Sequence, residues 1–220
     1  LGSDGAVGTS VPRPRARQFV AGRGRYTDDL RLPGTLHAAF LRSPHAHARL
    51  EALDLESARK IPGVAAVFDA AAIGGVCRSW TTKFATLPGH CSVPQPPLVI
   101  DRALWQGQPA AVVIAENRAL AEDAVNLIGA EWRELDPVAD PAAAAQPDHA
   151  ALHAELRHNI AFEHSIAAGD PEAAFARADR IIRRRLRFGR HTGVPLEART
   201  VLADFDPSLR RLTVYQSTQV

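Results

Sequence analysis

Residues 34–70 read GTLHAAFLRSPHAHARLEALDLESARKIPGVAAVFDA, and the fold turns on how this stretch is read. Two apolar, alternating runs, 36–41 and 48–55, flank a polar kink, Arg42-Ser43-Pro44-His45-Ala46-His47. Pro44 fixes its own φ and has no N–H, so a central strand cannot run through it. The pattern predicts strand, tight connection, strand, then a short helix over 55–60, Pro62-Gly63 punctuation and a third strand over 64–68. Connections this short make the first two strands antiparallel neighbours, with the helix over one face.

Moving outward, residues 97–135 read as a second β–α–β unit. PAAVVIA (109–115) is a buried strand, Asn117 a helix N-cap, 119–128 a helix by apolar spacing, Gly129 its stop, and 130–135 a strand. Gly107 belongs to no G-x-G-x-x-G or Walker pattern. Between the two units, residues 70–97 hold Gly74-Gly75 and several prolines and read as a long surface loop anchored by Trp80 and Phe84. His90-Cys91 lacks the further ligands a metal site needs. Residues 137–158, with Pro137, Pro141, Pro147, four consecutive alanines and His149, His153 and His158, read as a linker with exposed histidines. Asp170-Pro171-Glu172 then starts a helix over 171–178. Strands are expected over 181–188, 196–205 and 212–218, the last two joined by the Asp206-Pro207-Ser208 turn.

Composition sets the outer bounds. The 220 residues are 46% apolar with a net charge of +2, enough to bury a core and no call for a nucleic-acid partner. Cys77 and Cys91 cannot ligate an iron–sulfur cluster, which needs four thiolates. They read as free thiols in a reducing compartment, the cytoplasm. No apolar run reaches membrane-spanning length. The sequence contains no methionine and begins at Leu1, so a trimmed, processed or partial polypeptide is expected. The Arg-rich N-terminus (Arg13, Arg15, Arg17, Arg23, Arg25) reads as an irregular arm or a docking arm for another subunit.

Several stretches resemble one family. R-G-R-Y-T-D-D-L-R-L-P-G-T-L-H-A-A-F-L-R-S-P-H-A-H-A-R (from Arg23) and W-Q-G-Q-P-A-A-V-V-I-A-E-N-R-A-L-A-E-D-A (from Trp105) resemble the α/β hammerhead domain of molybdenum hydroxylases. This is the xanthine dehydrogenase, aldehyde oxidase and aerobic carbon monoxide dehydrogenase family. G-D-P-E-A-A-F-A-R-A-D (from Gly169), H-x-x-x-P-L-E-A-R (from His191) and L-T-V-Y-Q-S-T-Q (from Leu212) resemble the start of its molybdopterin-binding domain. The fold expected is therefore α+β: an N-terminal arm (1–19), a hammerhead domain with a mixed sheet (20–136), a linker (137–158) and the beginning of an α/β molybdopterin-binding domain (159–220).

The resemblance also implies chemistry. The glutamine of the S-T-Q motif, here Gln219, is expected to hydrogen-bond the apical ligand of the molybdenum, making it both the catalytic and the cofactor-binding residue; a neutral amide can donate there. The cofactor implied is molybdenum–molybdopterin cytosine dinucleotide, with iron–sulfur clusters and FAD on partner subunits or domains. Partners expected are the remainder of the molybdopterin-binding subunit, the iron–sulfur and flavin subunits and a small-molecule substrate. The family's Gly-Phe-Gly loop and its base glutamate do not occur here, so the chain is not expected to turn over alone. The activity implied is oxidation of an aldehyde, N-heterocycle or similar small substrate with water-derived oxygen. The alternative is a non-catalytic protein-binding scaffold built on an orphan hammerhead module. No residue is read as a metal ligand. His45 and His47 form an H-x-H pair but read as kink residues satisfying backbone groups. Glu197 and Arg199 could line the approach to the active site; the simpler reading pairs Glu197 with a nearby arginine. The six arginines between Arg180 and Arg190 read as a solvated strand face, with a subunit interface or a cofactor phosphate as the sharper alternatives.

Overall fold

The computed structural model of the chain describes residues 8–82, 87, 89–153, 155–189 and 191–218. Thr35–Ile181 form one compact unit; Leu1–Gly34 together with Ile182–Val220 form another.

The larger unit is built on two small sheets. In the first, β1 (His37–Arg42), β5 (Pro109–Ala115) and β3 (Val64–Phe68) lie in the order β1-β5-β3. In the second, β4 (Arg102–Ala103), β2 (Ala48–Asp54) and β6 (Gly129–Glu134) lie in the order β4-β2-β6. β5 is central because its sequence is apolar on both faces: Ala110, Ala111, Val113 and Ala115 are buried. Above it packs α4 (Arg118–Val125), capped by Asn117, whose Oδ1 accepts from the Leu120 N–H at 2.9 Å. α4 presents Ala121 and Ala124, both fully buried, so helix and sheet meet closely. With α2 (Glu56–Arg59), it closes a core around Leu55, Val67, Val113 and Ile128. A second cluster of Val99, Ala103 and Ala110 joins the two sheets.

The α+β class stands, with two corrections. β1 and β2 are not neighbours: each belongs to a different sheet, and every described ladder is antiparallel, so small antiparallel sheets replace the single mixed one. The cause lies in the kink. The Ser43 N–H donates to the Gln108 carbonyl at 2.9 Å, and the Gly107 N–H donates to the Ser43 carbonyl at 2.8 Å. Ser43 is therefore clamped to the start of β5 instead of turning a hairpin, and Pro44 follows with no donor to offer a ladder. The helix expected over 119–128 ends at Val125, and Gly129 opens β6 opposite Asp54. Tighter bonds from Leu127 to Ala124 and from Ile128 to Val125 end it earlier.

Three segments read as arm, loop or linker carry short helices, the first being α1 (Ala16–Val20) in the stretch read as an irregular arm. α3 (Ala70–Ile73) is capped by Asp69, and α5 (Pro141–Ala144) by Asp140, with proline at its first position. Trp80 bridges to Gln95 through the backbone but is 56% exposed, so it does not anchor the loop by burial. Phe84 lies outside the described residues. Asn159 ties the segment after α5 together: its Oδ1 accepts from the Leu152 N–H at 2.7 Å and its Nδ2 donates to the Ala150 carbonyl at 2.9 Å. α6 (Pro171–Ala176) starts at Asp170 as the sequence predicts.

In the smaller unit, the one strand ladder among the described residues is the hairpin of β7 (Val201–Asp206) and β8 (Arg211–Gln216). Residues 181–188 form no ladder, contrary to the alternation of their side chains, and Ile182 and Phe188 are 79% and 90% exposed. A strand needs a partner, and the described residues offer none there. The hairpin turn is held by Asp206, whose Oδ1 accepts from the Ser208 and Leu209 N–H groups at 2.9 and 3.0 Å.

Two predictions follow from these turns. Gly63 has φ +88, and a Cβ there would lie 2.6 Å from Leu120 Cδ2. Gly63→Ala should therefore lower stability by at least about 1–2 kcal/mol, read as a lower urea midpoint; an unchanged midpoint would show the turn relaxes freely. The Leu209 N–H, the Ser208 hydroxyl and the Ser208 N–H hold the Asp206 carboxyl below its ordinary value, against a weaker opposing effect of burial. A depressed folded pKa gives stability that is present above the unfolded value and is lost as pH falls through the folded one. Asp206→Ala should weaken the hairpin at neutral pH, and the gap to the parent should close in acid. Carbon NMR of the carboxyl should show it titrating below the ordinary aspartate value; a midpoint at or above that value would contradict the turn's role.

Candidate functional site

The residue on which the resemblance places the chemistry, Gln219, lies outside the described residues. What the structure gives is the strand end that leads to it. Beyond the last rung of the hairpin, Val201 opposite Gln216, the pairing runs one residue further through a side chain. The Ser217 N–H donates to the Thr200 carbonyl at 3.2 Å, and the Thr200 N–H donates to Ser217 Oγ at 3.3 Å. Ser217 Oγ in turn donates to the Ala198 carbonyl at 2.7 Å. One hydroxyl thus holds the end of β8 to the segment that enters β7. Sequence reading passed over Ser217 as part of a motif; its signal was a serine placed directly after the last residue of the strand, Gln216.

Glu197 lies in the same unit but makes no ion pair among the described residues. Its Oε1 accepts from the Thr27 N–H at 3.0 Å, at the start of the 3-10 turn Thr27–Asp29. The expected arginine partner is replaced by a backbone donor. A carboxylate suits that place because the first N–H groups of a helical turn have no partner within it.

The histidines take structural places. His47 Nδ1 donates to the Asp136 carbonyl at 2.8 Å, and its Nε2 is buried without a hydrogen bond among the described residues. His45 Nδ1 lies 2.9 Å from Glu134 Oε1, and its ring meets Trp132 edge to face. The two rings therefore serve separate groups. Among the linker histidines, the ring of His149 lies 3.0 Å from the Ala150 carbonyl, and His158 accepts from the Ile160 N–H at 3.2 Å. His153 departs from the exposed expectation. It is half-buried, and burial pushes its pKa below the ordinary value; Glu155 opposes the shift and Arg102 adds to it. Cys77 and Cys91 are exposed free thiols.

The described residues contain no group of three His, Cys, Asp or Glu side chains that could hold a metal ion. At the hairpin end the hydroxyls of Thr200 and Ser217 and their backbone amides bond within the chain, to each other and to Ala198, so they hold the strand end rather than a metal. No described helix is long and apolar enough to cross a membrane.

Comparison with known proteins gives two domain matches, whose bounds differ from those of the two compact units. Residues 21–136 match the aldehyde oxidase and xanthine dehydrogenase α/β hammerhead domain, and residues 152–220 match the molybdopterin cofactor-binding domain. The nicotine 6-hydroxylase large subunit of Paenarthrobacter nicotinovorans is 35% identical over 97% of this chain and 26% of its own length. The carbon monoxide dehydrogenase large chain of Hydrogenophaga pseudoflava is 33% identical over 94% of this chain and 27% of its own. Among solved structures, quinoline 2-oxidoreductase from Pseudomonas putida 86 superposes with a TM-score of 0.86 at 34% identity, covering 96% of this chain and 27% of that one. Aldehyde oxidoreductase from Desulfovibrio gigas gives a TM-score of 0.79 at 26% identity, covering 93% and 23%. The chain thus spans about a quarter of the length of the curated relatives it matches. With more than half of its residues in the hammerhead match, the chain belongs to the aldehyde oxidase and xanthine dehydrogenase family of molybdenum hydroxylases.

Proposed function

We propose that this chain contributes the hammerhead domain and the first strands of the cofactor domain to a molybdenum hydroxylase. That enzyme oxidises an aldehyde, an N-heterocycle or a similar small molecule with oxygen derived from water. The observation that supports this reading is the strand end fixed by Ser217, two residues before Gln219 in the S-T-Q motif. Its hydrogen bonds to both Thr200 and Ala198 fix the end of β8 at Ser217. A donor that does not reorganise during reaction is worth more than one that must first be oriented.

When bound, the molybdenum–pterin cofactor supplies the redox centre. The chain's own part is to hold the hairpin end in place and to offer the Gln219 amide N–H to the metal end of the cofactor. Being neutral, the amide donates without adding charge to the site. The remainder of the molybdopterin-binding subunit supplies the base and the rest of the pocket, and iron–sulfur and flavin subunits or domains carry the electrons away. Free, exposed Cys77 and Cys91 support a reducing compartment, the cytoplasm. By this reading the domain boundary falls in the segment after residue 136, with the cofactor domain beginning near residue 159.

The test is Gln219→Ala in the assembled enzyme, with turnover and molybdenum content measured together. Losing one preorganised donor should cost about 10²–10³ in rate while molybdenum is retained. Unchanged turnover would make Gln219 a strand-end residue and nothing more. Loss of molybdenum with the rate would move its role from chemistry to cofactor retention.

A further inference from the structure

A cavity of about 180 Å³ opens beside β4, the edge strand of the second sheet, under the segments that carry Pro94 and Leu152. Its polar lining is unusual for a surface pocket. Gln108 is only 7% exposed, and its Oε1 accepts from the Leu104 N–H at 2.8 Å. That bond fixes which end of the amide is which, and the NH2 group is left without a hydrogen bond among the described residues. Arg102 also lines the cavity, and its Nε is buried without a hydrogen-bond partner among the described residues. That one N–H is cut off from water without an acceptor, at a cost in free energy, while the half-buried side chain keeps its outer nitrogens as donors. Two donors on one cavity wall are thus unmatched, and both are held by backbone that is itself fixed. Ala103 is fully buried in the core, and Gln108 follows Gly107 in the clamp on Ser43.

The remaining lining narrows the ligand. Asp101 and Glu155 also face this cavity. A dianion such as phosphate would meet both carboxylates, whereas a single negative charge can sit against Arg102 and avoid them. A planar carboxylate matches the guanidinium fork, with Gln108 as a further donor. Pro94, Pro96, Leu104 and Leu152 line the rest and suit an apolar body. His153, held toward its neutral form by burial, adds no second cation.

We propose that this cavity is a binding site for a small monocarboxylate with an apolar body, gripped by Arg102 and Gln108 and screened against dianions by Asp101 and Glu155. The site is independent of the Gln219 reading, and its test does not use turnover.

The probe is para-fluorobenzoate, titrated into the assembled protein that contains this chain and followed by fluorine NMR. Saturable binding is expected, with para-fluorophthalate, a dianion, binding more weakly. Arg102→Gln should raise the Kd by about tenfold or more, since it removes a charge-assisted hydrogen bond. Gln108→Glu keeps the acceptor for Leu104 but removes the NH2 and should also raise the Kd. Glu155→Gln, at an exposed residue, should lower the Kd by about two- to threefold, as expected for removing one nearby like charge in partly screened surroundings. A variant that binds more tightly cannot be explained by damage to the fold. The proposal is overturned if the probe shows no saturable binding. It is also overturned if binding is indifferent to Arg102→Gln, if Glu155→Gln fails to tighten it, or if the dianion binds as well as the monoanion.

Discussion

Two backbone hydrogen bonds at Ser43 govern the larger unit. Its N–H reaches the Gln108 carbonyl and its carbonyl takes the Gly107 N–H, so one buried residue stitches the end of β1 to the start of β5. Without that exchange, the sequence on either side of Pro44 would favour a simple hairpin. With it, β1 stays beside β5, while β2 leaves for a second sheet and finds β4 and β6. Both sheets must then share what lies between them. The cluster of Val99, Ala103 and Ala110 does this, with Leu41 from the first sheet and Leu50 and Trp132 from the second packed against it. The same clamp fixes Gly107 and Gln108, which sets the amide of Gln108 toward Leu104 and gives the adjoining cavity its floor.

The core that follows is made largely of small side chains. Ala48, Ala58, Ala103, Ala110, Ala111, Ala115, Ala121 and Ala124 are all fully buried. Alanine contributes little apolar area per residue, but it lets α4 lie close on β5 and lets two sheets meet around short strands. Stability then rests on close fit more than on bulk, and a core of this kind has little room for larger side chains.

Local signals in the sequence were legible and long-range ones were not. The PAAVVIA strand, the Asn117 cap and the Asp170-Pro171 helix start follow from a few residues whose physics is self-contained, and the structure places them as read. The separation of β1 from β2 was not legible, because it depends on Ser43 meeting residues 107 and 108, more than sixty positions away. Nor was the Glu197 contact: charge count pointed to an arginine, while the partner is the Thr27 backbone, 170 residues distant in sequence. His153 was read as exposed because it lies in a segment, 137–158, rich in proline and alanine. The burial comes from the segments around residues 94–102, which composition cannot reveal. For the candidate site, the motif named Gln219, and the pinning by Ser217 became visible only with the register of β7 and β8.

Residues 181–188 show why alternation alone does not make a strand. Ile182, Leu186 and Phe188 recur with the right period, and Arg183, Arg184, Arg185 and Arg187 stand among them. A strand is stabilised by pairing and by side-chain packing across the pair, so its propensity is latent until a neighbour exists. The smaller unit supplies none to this segment among its described residues, and it carries 14 arginines against six acidic residues. Ile182, Leu186 and Phe188 are accordingly exposed. The hairpin a few residues later closes under the same charge excess because its turn is held locally by Asp206 and its register is complete from Val201 to Asp206. The difference between the two segments is thus the presence of a partner within reach, not the quality of the alternating pattern, and the pattern alone could not have told them apart.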